Sequence, residues 1–233
     1  MSNVYSTLTS EGLEESTDVL GGRHVFDTNI YNATVKAAYS IESSGGALGI
    51  ALVLATSEGD YNETIYVTNR NKQNFYLNAN KKKCPLPGFT LINDLCLIAN
   101  GKPLSEQDFQ EKSLKVWDYD TKDEVVKPVL VAVDLIGAKV AVAITKQLVN
   151  KKVKSGNEYV DSNETVEENR INKLFDLDTH LTVHEAKTKS EAKFYDKWLD
   201  KYQNTVVDKV KKGIGSVTAN KDLVKPKRSL FGE

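Results

Sequence analysis

Residues 61–76 read YNETIYVTNRNKQNFY, and their alternation decides the fold class. Tyr61, Glu63, Ile65, Val67 and Asn69 fall on one side of a period-2 segment. Asn62, Thr64, Tyr66, Thr68 and Arg70 fall on the other. This spacing, with β-branched and aromatic residues at the repeats, predicts a strand. Ile65 and Val67 then face a core, which leaves Tyr66 and Arg70 on an open polar face. Asn71 and Lys72 form a turn, followed by the aromatic pair Phe75 and Tyr76. An exposed aromatic beside a cation, with no carboxylate between them, suits a base and its phosphate.

The segments before it are also strand-like. Residues 30–41 alternate, with Val35, Ala37, Tyr39 and Ile41 expected on one face and Asn32, Thr34, Lys36 and Ser40 on the other. Leu48 to Thr56 is almost continuously apolar, as in a strand covered on both faces. Ser43-Ser44-Gly45-Gly46 and Ser57-Glu58-Gly59-Asp60 supply the turns. Three strands with short connections predict an antiparallel meander. Residues 1–22 hold Glu11, Glu14, Glu15 and Asp18 with no Lys or Arg, and read as a flexible acidic arm.

Beyond Tyr76, Asn78 to Pro87 carries Lys81, Lys82 and Lys83 and reads as a basic loop able to reach over phosphates. Gly88 to Asn100 has apolar residues at helical spacing, with Thr90 as candidate N-cap and Gly101 as stop. In Ser113 to Tyr119, Leu114 and Val116 alternate with Lys115, Trp117 and Tyr119, repeating the cation-plus-aromatic pattern. Val129 to Ile136 and Lys139 to Val149 read as apolar strands hinged at Gly137. The second turns Val140, Val142 and Ile144 inward and Lys139, Thr145 and Gln147 outward. Lys151-Lys152-Val153-Lys154 forms a basic hairpin tip ahead of Tyr159. After Asp161 the pattern turns helical. Thr182 to Glu185 is a capping box, and Ser190 to Tyr202 is an amphipathic helix whose aromatics pack on the body. From Gln203 the chain is Lys- and Gly-rich and reads as a flexible tail.

With 40% hydrophobic and 27% charged residues in 233, the composition is that of a soluble globular chain with a substantial core. The formal net charge is −1, so a nucleic-acid site must be a local patch. No run approaches the roughly 18 apolar residues of a membrane helix, and the polar start is not a signal peptide. Cys84 and Cys96 stand without a second pair and read as reduced thiols. No internal repeat is evident. His180 and His184 lack an HExxH frame, and there is no phosphate-binding P-loop or GxSxG elbow, so no metal or catalytic centre is expected. Asp118, Asp120 and Asp123 imitate a nuclease cluster but read as a turn.

ETIYVTNRNKQNFY, KKKCPLPGFTLINDLCLIANGKPL, KVWDYDTKDEVVKPV and a terminal KRSLFG, taken in order, resemble a family of phage-encoded single-stranded DNA-binding proteins. The likeness runs from about Gly22 to Phe175 and returns at the C-terminus. It implies an OB-like antiparallel β-barrel, working without cofactor, that coats DNA during phage replication and recombination in the cytoplasm of the infected bacterial host. Many single-stranded DNA-binding proteins end in an acidic tail; the charges of residues 203–233 here are mostly lysines, six with one arginine against three acidic residues.

The expected protein is therefore mainly β and not an enzyme. It comprises an acidic arm (1–22), an OB-like core with an inserted helix (23–160), a helical extension (161–202) and a flexible basic tail (203–233). Strand-face reasoning assigns Tyr66, Trp117 and Phe75 or Tyr76 to bases, and Arg70, Lys72, Lys81, Lys82, Lys83, Lys115 and Lys139 to phosphates. Lys36, Tyr119, Lys151 and Lys152 complete the expected DNA-binding set. Ser229, Leu230 and Phe231 resemble the core of peptides that dock on sliding clamps. They are expected to recruit a phage DNA polymerase, a helicase-primase or a host sliding clamp. The alternatives are a phage structural or assembly protein that docks another protein through its polar strand face, and a metal-dependent nuclease.

Overall fold

A computed structural model of the chain describes residues 25–211, apart from 119, 120, 122 and 157. The fold is mainly β, an antiparallel sheet with few helices. Strands β1 (Asn29–Glu42), β2 (Leu48–Thr56) and β3 (Gly59–Tyr66) form the expected meander. A short hairpin follows, β4 (Phe75–Leu77) and β5 (Lys83–Pro85), where a basic loop was expected. Helix α1 (Pro87–Asn100) comes next. Strands β6 (Phe109–Asp118) and β7 (Asp123–Ala132) form one ribbon, and β8 (Lys139–Ser155) and β9 (Glu158–Asp176) a longer one. Helices α2 (Val183–Thr188) and α3 (Phe194–Tyr202) precede a short β10 (Val206–Asp208).

Strand β1 organises the sheet. One edge pairs with β2; the other pairs with β8 over Asn29–Thr34 and with β7 at Tyr39. Among the described residues the ladder does not close into a barrel, since β3 pairs only with β2 and β9 only with β8. The seam between β3 and β9 is spanned by side chains. Glu63 accepts hydrogen bonds from Ile171 N (2.8 Å), Tyr61 Oη (2.7 Å) and Arg170 Nη1 (3.4 Å). Ile92, Leu95 and Cys96 of α1 fill the core beneath Ile50, Leu52, Leu54 and Ile65. Burial pushes the Cys96 thiol up to about 12, and both cysteines are free.

A bulge between Val35 and Ala37 reverses the facing of β1. Ala33 and Val35 are in the core before it, and Ala38 after it. Ala37, Tyr39 and Ile41, expected to face inward with Val35, therefore lie on the opposite face. In α1, Leu86 and not Thr90 is the N-cap, with Pro87 opening the helix, because proline has no N–H to leave unsatisfied there. Thr90 hydroxyl donates to Leu86 O from within the first turn. Gly101 ends the helix as expected.

Strand β8 is covered on both faces along its first half. Val140, Val142 and Ile144 enter the main core, while Ala141 and Ala143 pack with Phe175 under Trp198 of α3. Thr145, expected outside, is buried and donates to Arg170 O. The expected change to helix at Asp161 is corrected. β9 runs from 158 to 176, so the proposed boundary at 160/161 falls inside a strand. Of the flexible tail expected from Gln203, residues 203–211 are instead ordered on the body, and residues 212–233 lie outside the described residues. β10 pairs in parallel with Lys146–Leu148 of β8, an edge that β1 leaves unpaired, and Thr28 clamps the segment through Thr205 O. The acidic arm 1–22 lies outside the described residues.

The capping box at Thr182 forms, and its carboxylate has a second task. Glu185 is buried and accepts from Thr182 N and Oγ1, and from Lys193 N and Phe194 N at the start of α3. Burial raises this carboxyl, yet these donors together hold it below the usual range. Glu185→Ala is expected to lower stability by about 3 kcal/mol at neutral pH, since four donors lose their acceptor. The folded pKa lies below the unfolded value of about 4.3, so the contribution is full above that value and is lost as pH falls through the folded one. Urea melts of parent and variant should therefore differ most at pH 7 and converge on acidification; a gap independent of pH would contradict the assignment.

Candidate nucleic-acid interface

Helix α3 covers the outer face of the sheet only over β8, β9 and the first half of β1, which leaves the second half of β1 with β2 and β3 uncovered by it. Two rows cross this part of the sheet, and of their residues only Tyr66 is exposed. Ile41, Gly49 and Tyr66 stand opposite one another, and Tyr39, Ala51 and Thr64 form the next row on the same side. Tyr66 is 46% exposed. A Cβ on Gly49 would sit 3.1 Å from Tyr66 Cδ1 and 3.4 Å from Ile41 Cγ1, so the glycine lets the tyrosine ring lean across β2. The backbone under that ring is fixed by α1. A Cβ on Gly88 would lie 2.1 Å from Tyr66 O, a separation only glycine permits.

The chain beyond Tyr66 forms two loops of one pattern, a short repeat not seen in the sequence. In Asn69–Gln73, Asn69 Oδ1 accepts from Asn71 N and Gln73 N, and Lys72 sits at φ 57°. In Asn78–Lys82, Asn78 Oδ1 accepts from Asn80 N and Lys82 N, and Lys81 sits at φ 57°. The loops hold Arg70, Lys81 and Lys82 exposed in defined backbone geometry. Lys83 Nζ lies 4.5 Å above the Phe75 ring, and Tyr76 is exposed. Lys72 pairs with Glu42 at 3.4 Å.

The other residues expected to touch DNA divide. Lys139 is exposed opposite Thr34, on the outer side of the sheet but five residues along β1 from Tyr39. Lys36 occupies the bulge and pairs with Asp60 at 2.6 Å. Trp117 is 51% exposed, but the register puts it on the side of Phe109 and Ala132, opposite to that of Tyr39 and Tyr66. Its neighbour Lys115 pairs with Glu124 at 2.8 Å, so a carboxylate does stand beside this aromatic. Tyr66 and Trp117, both assigned to bases, therefore lie on opposite sides and do not form one surface. Lys151 is bound to Glu164 at 2.8 Å, a contact that raises the lysine and lowers the carboxyl. Lys152 stands opposite Asp161, which is held low by Lys211 at 2.8 Å. Both lie on the β8–β9 ribbon, at the far end of β1 from Tyr66. Tyr119 and the Ser229-Leu230-Phe231 tip lie outside the described residues.

Register also brings half-buried Tyr39 and exposed Lys112 to the side of Tyr66, which sequence reasoning did not show. Lys112 stands opposite Val129, two residues along from Val131, which faces Tyr39. Both were hidden by strand pairing, since only the bulge and the β7 register bring them to this side. Among the described residues no group of three His, Cys, Asp or Glu could hold a metal ion. No helix is long and apolar enough to cross a membrane. No protein-family model matches the chain, and a search of curated proteins finds no match.

Proposed function

We propose that the protein binds single-stranded DNA, with little regard to sequence, across the open face of β1, β2 and β3. The observation that carries this reading is Tyr66, 46% exposed and held over Gly49 on a part of the sheet that α3 does not cover, beside a loop bearing Arg70 and a hairpin bearing Lys81, Lys82 and Lys83. A ring presented on a rigid strand stacks any base, and cations on adjoining loops neutralise the backbone. Pairs such as Lys72–Glu42 and Lys36–Asp60 are exposed and weak, so a polyanion can compete for these cations.

The OB-like architecture belongs to the same proposal. It is supported by the strand sequence β3-β2-β1-β8-β9, by the seam between β3 and β9, and by a helix that follows β3 and plugs the core. The function is then that of the phage family the sequence resembles, coating DNA in replication and recombination within the infected host. The same reading has the Ser229-Leu230-Phe231 tip engage a polymerase, helicase-primase or clamp; Lys211 itself is tied to Asp161 at the end of the sheet away from Tyr66. One observation favours docking of a protein instead. Trp117, Val126, Pro128 and Leu130 lie on one side of the β6–β7 ribbon, with Val126 70% exposed.

Titration with oligo-dT at two salt concentrations separates the readings. Tyr66→Ala is expected to weaken binding by ~1–3 kcal/mol with the fold retained. Neutralising Lys81, Lys82 and Lys83 together should flatten the salt dependence by ~0.7 in the log–log slope for each phosphate that they neutralise in the parent. Parent-like binding in both variants would exclude this face. Cleavage of the oligonucleotide with Mg²⁺ would point to a nuclease.

A further inference from the structure

We infer that two copies of the chain join edge to edge through β6, antiparallel about a two-fold axis at Ser113. This pairing is independent of the DNA-binding reading. Among the described residues β6 pairs only with β7, and β7 lies between it and β1, so β6 is the outer strand of its ribbon. Its ten residues, Phe109–Asp118, leave one row of backbone donors and acceptors without a strand partner. Neither glycine nor proline interrupts that row. Glu111, Lys112, Ser113 and Lys115 are exposed along it, and Trp117 is 51% exposed. An edge of this kind is a template for another strand.

The side chains choose the partner. About a two-fold axis, each residue stands opposite the one equally far beyond the axis on the second copy, on the same face of the sheet. With the axis at Ser113, Glu111 faces the second copy's Lys115, and Lys115 faces its Glu111. Half-buried Phe109 and exposed Trp117 meet in the same way, and Lys112 stands opposite Leu114. Opposite charges and aromatics directly across a ladder are stabilising, and the symmetry makes each pair twice. Moving the axis by one or two residues loses this match. At Glu111, Lys112 or Lys115 it sets a like charge against itself; at Leu114 it leaves Glu111 facing Trp117 and Lys115 facing Ser113. Lys115 already reaches Glu124 of its own ribbon at 2.8 Å, in an exposed pair that leaves its ammonium free to bridge a second carboxylate. The joined ribbons form a four-stranded sheet, β7-β6-β6-β7, with Trp117, Val126, Pro128 and Leu130 of both copies on one side.

Sedimentation equilibrium of the full chain over micromolar concentrations should show monomer and dimer in exchange. Glu111→Lys sets lysine against Lys115 twice across the axis and should weaken the dimer about tenfold. Adding Lys115→Glu exchanges the two charges and should restore most of the affinity. Ser113→Cys places two thiols at the axis, where facing Cα atoms are ~4.5–5.5 Å apart and within disulfide reach. Mild oxidation should therefore trap it as a covalent dimer, whereas Lys112→Cys and the parent, with Cys84 and Cys96, should stay uncrosslinked. All these positions are exposed, and far-UV circular dichroism verifies the fold of each variant. A chain that stays monomeric at every concentration overturns the inference and leaves the edge to a strand of another protein. A dimer that Glu111→Lys leaves intact, or that Ser113→Cys does not trap, overturns this interface.

Discussion

Trp198→Ala is expected to destabilise the protein by about 4 kcal/mol, the range for removing a fully buried aromatic from a core that cannot collapse around the gap. Trp198 is 1% exposed, and its Nε1 donates to Asn172 Oδ1 at 2.7 Å. It covers Phe175, Ala141 and Ala143 and lies against Tyr202. The two alanines are small because the indole occupies the space above them, so no neighbour has the bulk to fill its place. The loss should appear in urea denaturation as a lower midpoint. Oligo-dT affinity of the folded fraction should hold, since Tyr66 stands on the half of the outer face that α3 does not cover. A loss below about 1 kcal/mol would mean that α3 contributes little to the body.

Glu63→Ala should be nearly as damaging, at about 3 kcal/mol or more. The carboxylate is largely buried and satisfies Ile171 N and Tyr61 Oη while pairing with Arg170. Alanine removes the acceptor of an edge amide of β9 and the Glu63 contact of a core tyrosine hydroxyl. Arg170 retains Glu168 at 3.0 Å, so the penalty falls on the seam. Hydrogen exchange gives the sharper readout, because the Ile171 amide should lose protection more than the β1–β2 ladder does. Uniform loss of protection across both would show that the seam is not a separate weak point. Glu63→Gln retains one acceptor oxygen and should fall between parent and alanine.

Much of the β architecture was legible because its strands are half buried and carry their period openly. Ile65 and Val67 inside with Tyr66 outside followed directly from alternation. The capping box at Thr182 and the stop at Gly101 were legible for a similar reason, since each depends on residues within one turn. Strand β9 was not. Between Glu158 and Glu168 its ribbon faces solvent widely, so polar residues occupy both sides and no alternation survives. β10 was hidden because Val206–Asp208 becomes a strand only where β8 extends past the start of β1.

The candidate site divides along the same line. Local pattern alone identified Tyr66, Arg70 and the lysine-rich hairpin, because a strand period and a turn are properties of neighbouring residues. Which of the scattered aromatics and cations share a surface is a question of register, and register depends on partners far away in the chain. The bulge at Lys36 moved Tyr39 to the side of Tyr66, and the pairing of β7 with β1 sent Trp117 to the other. A shift of one residue reverses every side chain beyond it, and the cue that sets it is the fit of two strands rather than the composition of either.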